Sequence, residues 1–177
     1  MRREEAMTVI ANKIYQMADN TSTDVMGALL HDPRRLLENI TPSLPSYIGV
    51  RQVKIAGNRI AADFNSSYYP IRLEGLFSFH TEILGDDVLS RIEIDVEGGT
   101  PAKDRVFRNI SKLTLDLAFS SKSKRLSIRI SYLKGAKPSF LPLHVRALGV
   151  VSKQARSLAR VIQKLSSSAT SPPFPAH

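Results

Sequence analysis

The 177-residue chain carries a formal charge of +9, has 42% hydrophobic residues and contains no cysteine. That length suffices for one domain with its own core, and the lack of cysteine excludes disulfides, thiolate metal sites and cysteine nucleophiles. The charge is lopsided: residues 1–116 hold 14 Lys+Arg against 16 Asp+Glu, whereas residues 117–177 hold 11 Lys+Arg and no Asp or Glu.

Such asymmetry suits an acidic partner, a membrane surface or nucleic acid. The N-terminal "MRREEAMTVIANK" lacks an apolar signal core and no later run reaches transmembrane length, so the expectation is a soluble cytoplasmic protein.

Residues 8–17, "TVIANKIYQM", are apolar and β-prone and predict a first strand. "DNTSTD" supplies a turn and a helix N-cap at Ser22 or Thr23. Val25, Met26, Leu29 and Leu30 then have helical spacing, Pro33 suits the first turn of a second short helix, and Leu36, Leu37 and Ile40 continue until Pro42 and Pro45 end it.

Period-two alternation takes over afterwards. "VRQVKIAGNRIAADF" predicts two strands around Gly57-Asn58. "IRLEGLFSFHTEI" sets Ile71, Leu73, Phe77 and Phe79 against Arg72, Glu74, Ser78 and His80. Three more strands follow, with Ile92, Ile94 and Val96 inward, then Leu113, Leu115, Leu117 and Phe119, then Leu126, Ile128, Ile130 and Tyr132. One wet face per strand is the antiparallel signature.

A helix of some six turns is expected over 143–165, with Leu148, Val151, Ala155, Leu158, Ile162 and Leu165 in one apolar stripe. The predicted domain is 1–165, and 166–177 form a Ser/Pro-rich tail. The fold class is α+β in the order β-α-α-β6-α. A seven-stranded antiparallel sheet must cover its apolar face, and the terminal helix is the element long enough to do so. The two short helices would act as a wedge that closes the sheet where its first and second strands part.

This order, with the pattern "STDVMGALLHDPRRLLENITP", resembles the START-like (SRPBCC, helix-grip) superfamily, which includes the birch-pollen allergen group, across roughly residues 8–165. Uncharacterised archaeal members and a group of carbon-monoxide-dehydrogenase accessory proteins are the expected relatives. The resemblance implies a curved sheet wrapped around the C-terminal helix, with a cavity between them that holds a hydrophobic or amphipathic, lipid-like small molecule. Phe77, Phe79, Leu117, Ile128, Leu148 and Val151 would line it, and His144 and Tyr69 would be its polar anchors.

The residues themselves suggest where such a cavity opens. Short connections alternate with the longer "NSSYYP", "EGGTPAKDR" and "KGAKPSFLPL", so Tyr68, Tyr69, Phe140 and Leu141 gather at one end of the sheet, either around a mouth or as a cap on the core. His144 falls on the sheet-facing side of the helix, as a ligand contact or as a hydrogen-bonded boundary residue.

Opposite the apolar stripe, Arg146, Lys153, Arg156, Arg160 and Lys164 form a basic stripe. It is either a solvated outer face or a surface for anionic headgroups or nucleic acid phosphates. His80 with Glu82, and Glu93 with Asp95, share the polar strand face, where cross-strand charge pairing with Arg72, Arg91 and Lys112 accounts for them better than a metal site does. No catalytic triad, phosphate-cradling glycine loop or cofactor motif is present. Binding without catalysis therefore ranks above a cyclase- or hydrolase-type enzyme on the same fold.

Overall fold

A computed structural model describes residues 7–38, 49–65, 70–99, 110–134 and 155–167. Its elements in chain order are β1 (Thr8–Gln16), α1 (Thr23–Leu30), α2 (Pro33–Glu38), β2 (Gly49–Ala56), β3 (Arg59–Asn65), β4 (Pro70–Leu84), β5 (Asp87–Gly99), β6 (Ile110–Ser120) and β7 (Arg125–Lys134). The C-terminal helix, α3, is described over 155–167. It continues two residues past the expected end at Leu165, and the buried Ser166 hydroxyl donates to the Gln163 carbonyl. The expected helical residues 143–154 lie outside the described residues.

The strands form one antiparallel sheet in the order β1-β7-β6-β5-β4-β3-β2. It is curved and wraps around the long C-terminal helix, the helix-grip arrangement that the element order predicts. Concave-face residues alternate with polar convex ones along each strand, as the period-two pattern requires. From α3, Ala155, Leu158, Ala159 and Ile162 enter one core with Met17, Met26, Leu30, Phe77, Ile92, Leu117 and Ile128.

The tight turns collect at one end. Gly57 and Gly85 take positive φ at the first central position of two-residue hairpins, as a type II′ turn demands. Lys124 takes positive φ in the β6–β7 turn. The two short helices sit at this same end. Ser22 caps α1 by accepting from the Val25 N–H at 3.2 Å, and an Asp32 carboxylate oxygen accepts from the Arg35 N–H at 3.4 Å in the first turn of α2.

The helix α1 lies across β4, β5 and β6, where its Leu30 carbonyl accepts from Thr81 Oγ1 at 2.9 Å. Its partner α2 lies on β2 and is tied to the β2–β3 turn by Arg34 donating to the Gly57 carbonyl at 2.9 Å. Together the helices plug the end of the sheet under α3, since Met26, Leu29, Leu36 and Leu37 join the core that holds Leu158 and Ile162.

Candidate functional site

The concave face is covered unevenly along its length. Nearest the tight turns, the cross-strand row Val88, Phe119 and Leu126 is fully buried beneath α1 and α3. The next row, Ser90, Leu117 and Ile128, is also buried, with the Ser90 hydroxyl beside Thr81 Oγ1 at 3.0 Å. One step further Ile92 is buried, but Leu115 and Ile130 are half-covered. In the following row Ile94 and Leu113 are again half-covered, beside a buried Tyr132. On β5, β6 and β7 packing therefore loosens away from α1 and α2, whereas on β4 the order is reversed: Ile83 and Phe79 are exposed and Phe77, opposite Ile94, is buried.

The residues expected at the site divide three ways. Phe77, Leu117 and Ile128 are core residues, together in one cluster with α3. Phe79 lies beside Phe77, with ring centroids 5.8 Å apart, but is 47% exposed. The reason is strand length. β3 begins at Arg59, opposite Leu76, so β4 from Ser78 onward has no neighbour on that side among the described residues and its side chains lie at an open edge. Tyr68, Tyr69, Phe140, His144, Leu148 and Val151 lie outside the described residues.

The half-covered residues Ile94, Leu113, Leu115 and Ile130 were legible as inward-facing but not as part of a site. Their partial coverage differs from that of Phe77, Ile92 and Tyr132 in the same rows, a difference in what packs over each that alternation alone does not rank.

The convex face is an ion-pair surface. Arg72 pairs with Glu74 at 2.8 Å and Asp63 at 3.6 Å, and Lys112 lies 3.6 Å from Glu93 and 3.5 Å from Asp95. His80 Nε2 and Glu82 Oε1 are 2.7 Å apart. Arg91 reaches across to Asp116 in a two-pronged contact of 2.7 and 3.2 Å, which holds the guanidinium still more firmly protonated. The cross-strand pairing expected of this polar face is present, with Asp116 of β6 as the partner of Arg91.

Of the basic stripe, Arg156, Arg160 and Lys164 are exposed on α3 and none is ion-paired among the described residues. Arg146 and Lys153 lie outside those residues. Burial of the Tyr15 phenol on β1 pushes its pKa up, and the positive charge of Arg156 acts against that rise.

No family profile matches the sequence, and no curated protein sequence does. Solved structures do match. The ZhuI aromatase/cyclase of a Streptomyces species is 10% identical over 94% of this chain and 97% of its own, with a TM-score of 0.55. Norcoclaurine synthase from Thalictrum flavum, in complex with dopamine and hydroxybenzaldehyde, is 16% identical over 94% of this chain and 90% of its own, with a TM-score of 0.51. At these identities the likeness is one of architecture: the chain has the START-like, helix-grip fold.

Proposed function

We propose that the protein binds a hydrophobic or amphipathic small molecule between the loosely covered part of the concave sheet face and α3. The observation that supports this reading is the burial gradient. Ile94 with Leu113, and Leu115 with Ile130, form two adjacent aliphatic pairs left half-covered beside rows that are buried on β5, β6 and β7. Completing the burial of one such side chain is worth roughly 1 kcal/mol, so an occupant touching all four gains useful affinity without any ion pair. The synthase of the same fold holds two small aromatic molecules, which agrees with an occupant of that size. Phe79, His144, Tyr68, Tyr69 and Phe140 belong to this proposal as rim or anchor residues.

The test is native mass spectrometry of protein purified without detergent, paired with displacement of a naphthalene-sulfonate dye by fatty acids. A bound apolar species, or dye release that Leu115→Trp with Ile130→Trp abolishes while the thermal transition persists, supports the reading. Empty protein that ignores both dye and fatty acid overturns it.

A second reading rests on a separate observation, the three exposed cations of α3 that have no ion-pair partner among the described residues. They suit a surface of anionic lipid headgroups, with Arg146 and Lys153 extending the stripe. Flotation with vesicles of phosphatidylserine and phosphatidylcholine tests it. Arg156→Glu with Arg160→Glu should abolish retention, and unchanged retention rejects it.

A further inference from the structure

The free length of β4, from Ser78 to Leu84, is the anomaly of the sheet. Both outermost strands are interrupted near one end, β1 by an irregularity between Val9 and Ala11 and β2 by one between Val50 and Gln52. Such bulges blunt an edge against pairing with another chain. The projecting part of β4 has none, since the register shift of this strand lies upstream at Glu74 and Gly75.

The direction of its main-chain groups follows from the residue before it. The Phe77 N–H points away from β5 and donates to the Asn58 carbonyl at 2.6 Å. Along a strand these directions alternate, so Phe79, Thr81 and Ile83 also turn their N–H and C=O outward. None of those three N–H groups has a main-chain partner among the described residues. The flanking side chains are exposed too: Phe79 and Ile83, the latter 58% exposed, on one face, and His80 and Glu82 on the other.

We propose that this edge pairs with the same edge of a second copy, as an antiparallel two-fold dimer centred on Thr81. The sequence "SFHTEIL" is self-complementary in that register and in no neighbouring one. With Thr81 opposite Thr81, Phe79 meets Ile83 of the second copy and His80 meets its Glu82, each contact made twice by symmetry. Shifting the register by two residues in one direction sets His80 against His80, and in the other Glu82 against Glu82. Only the Thr81-centred register matches opposite polarity and uses all seven residues. The slot has the right length, because the Gly57-Asn58 turn stops it at one end and the Gly85-Asp86 turn at the other. About six main-chain hydrogen bonds would form, and the dimer closes because a two-fold axis uses up the same edge on both copies.

Sedimentation equilibrium across a wide concentration range tests the proposal. The wild type should dimerise, and Phe79→Lys should remove the dimer. His80→Glu should weaken it roughly tenfold by setting two carboxylates in opposition. Because His80 also pairs with Glu82 of its own chain, the rescue is sought between chains: the His80→Glu and Glu82→His variants, each weakened alone, should form a heterodimer when mixed, which restoring the pair within one chain would not give. All these positions are exposed, so far-ultraviolet dichroism should stay that of the wild type. A wild type that is monomeric throughout, or a dimer indifferent to Phe79→Lys and His80→Glu, overturns the proposal.

Discussion

The Lys124 ammonium donates to the main-chain carbonyl of Thr21 at 2.5 Å, joining residues 103 positions apart. Thr21 is buried, and the Lys124 carbonyl in turn accepts from the Met17 N–H at 2.7 Å and from Gln16 Nε2 at 3.2 Å. One residue thus fastens the β6–β7 turn to the linker between β1 and α1. Its φ of 55° is costly for a side chain with a Cβ, by about 1 kcal/mol. Lys124→Met should lose the charged hydrogen bond, keep that cost and destabilise by roughly 2 kcal/mol. Lys124→Gly should lose about half as much, because relief at φ offsets part of the loss. Urea denaturation of the two variants side by side checks the order.

Two glycines should respond oppositely to alanine. A Cβ on Gly75 would collide with the Asp95 main-chain carbonyl and stand 3.0 Å from Ile94 Cγ2, at a bulge that cannot yield. Gly75→Ala should therefore destabilise by roughly 2 kcal/mol or more. A Cβ on Gly27 would meet only the Ile83 side chain, with Cδ1 at 3.1 Å and Cγ1 at 3.8 Å, and that side chain is exposed enough to shift toward solvent. Gly27→Ala gains helix propensity inside α1 and should stabilise by about 0.5 kcal/mol. Thermal melts of both separate the signs.

Within the concave face, Leu117→Ala should cost about 3 kcal/mol in the empty protein, since its site is fully enclosed. Leu115→Ala, from a half-covered site, should cost about half that. Adding the apolar occupant should stabilise wild type and Leu117→Ala alike but help Leu115→Ala less, which ligand-dependent melting shifts would reveal.

The phenol of Tyr15 provides a pH test. Burial raises its folded-state pKa above the unfolded value, so its contribution is fully present below pH about 10 and is lost as pH climbs through the folded value. Tyr15→Phe should flatten the alkaline fall in stability. Arg156→Ala should move the phenol higher still by removing the opposing charge. Ultraviolet titration of tyrosinate, with Tyr15→Phe as the difference reference, measures both effects.

Much of this architecture could be read from the chain. Ser22 or Thr23 before Val25, Met26, Leu29 and Leu30 marked α1, with Ser22 the cap, Pro33 marked the start of α2, and alternation assigned both faces of β4 to β7, because caps, ring constraints and period-two burial act locally. Phe79 shows where local information ends. Its face was legible, but its exposure depends on β3 beginning opposite Leu76, a pairing between segments that no spacing within β4 records. Arg91 makes the same point: cross-strand pairing was expected on this face, but that the partner is Asp116 of β6 follows only from the β5–β6 register. The partial coverage of Ile94, Leu113, Leu115 and Ile130 depends likewise on what packs over each.

β1 occupies one end of the strand order and pairs with β7, while the Ala18 N–H just beyond it donates to Gln163 Oε1, 145 residues further on. During synthesis these first residues leave the ribosome on the order of ten seconds before their partners exist. Val9 and Ile14, exposed even in the finished fold, ride unpaired on the nascent chain throughout that interval. The pairing of β1 with β7 and of Ala18 with α3 is then a high-contact-order step, and it should be the slowest and the most dependent on chaperones.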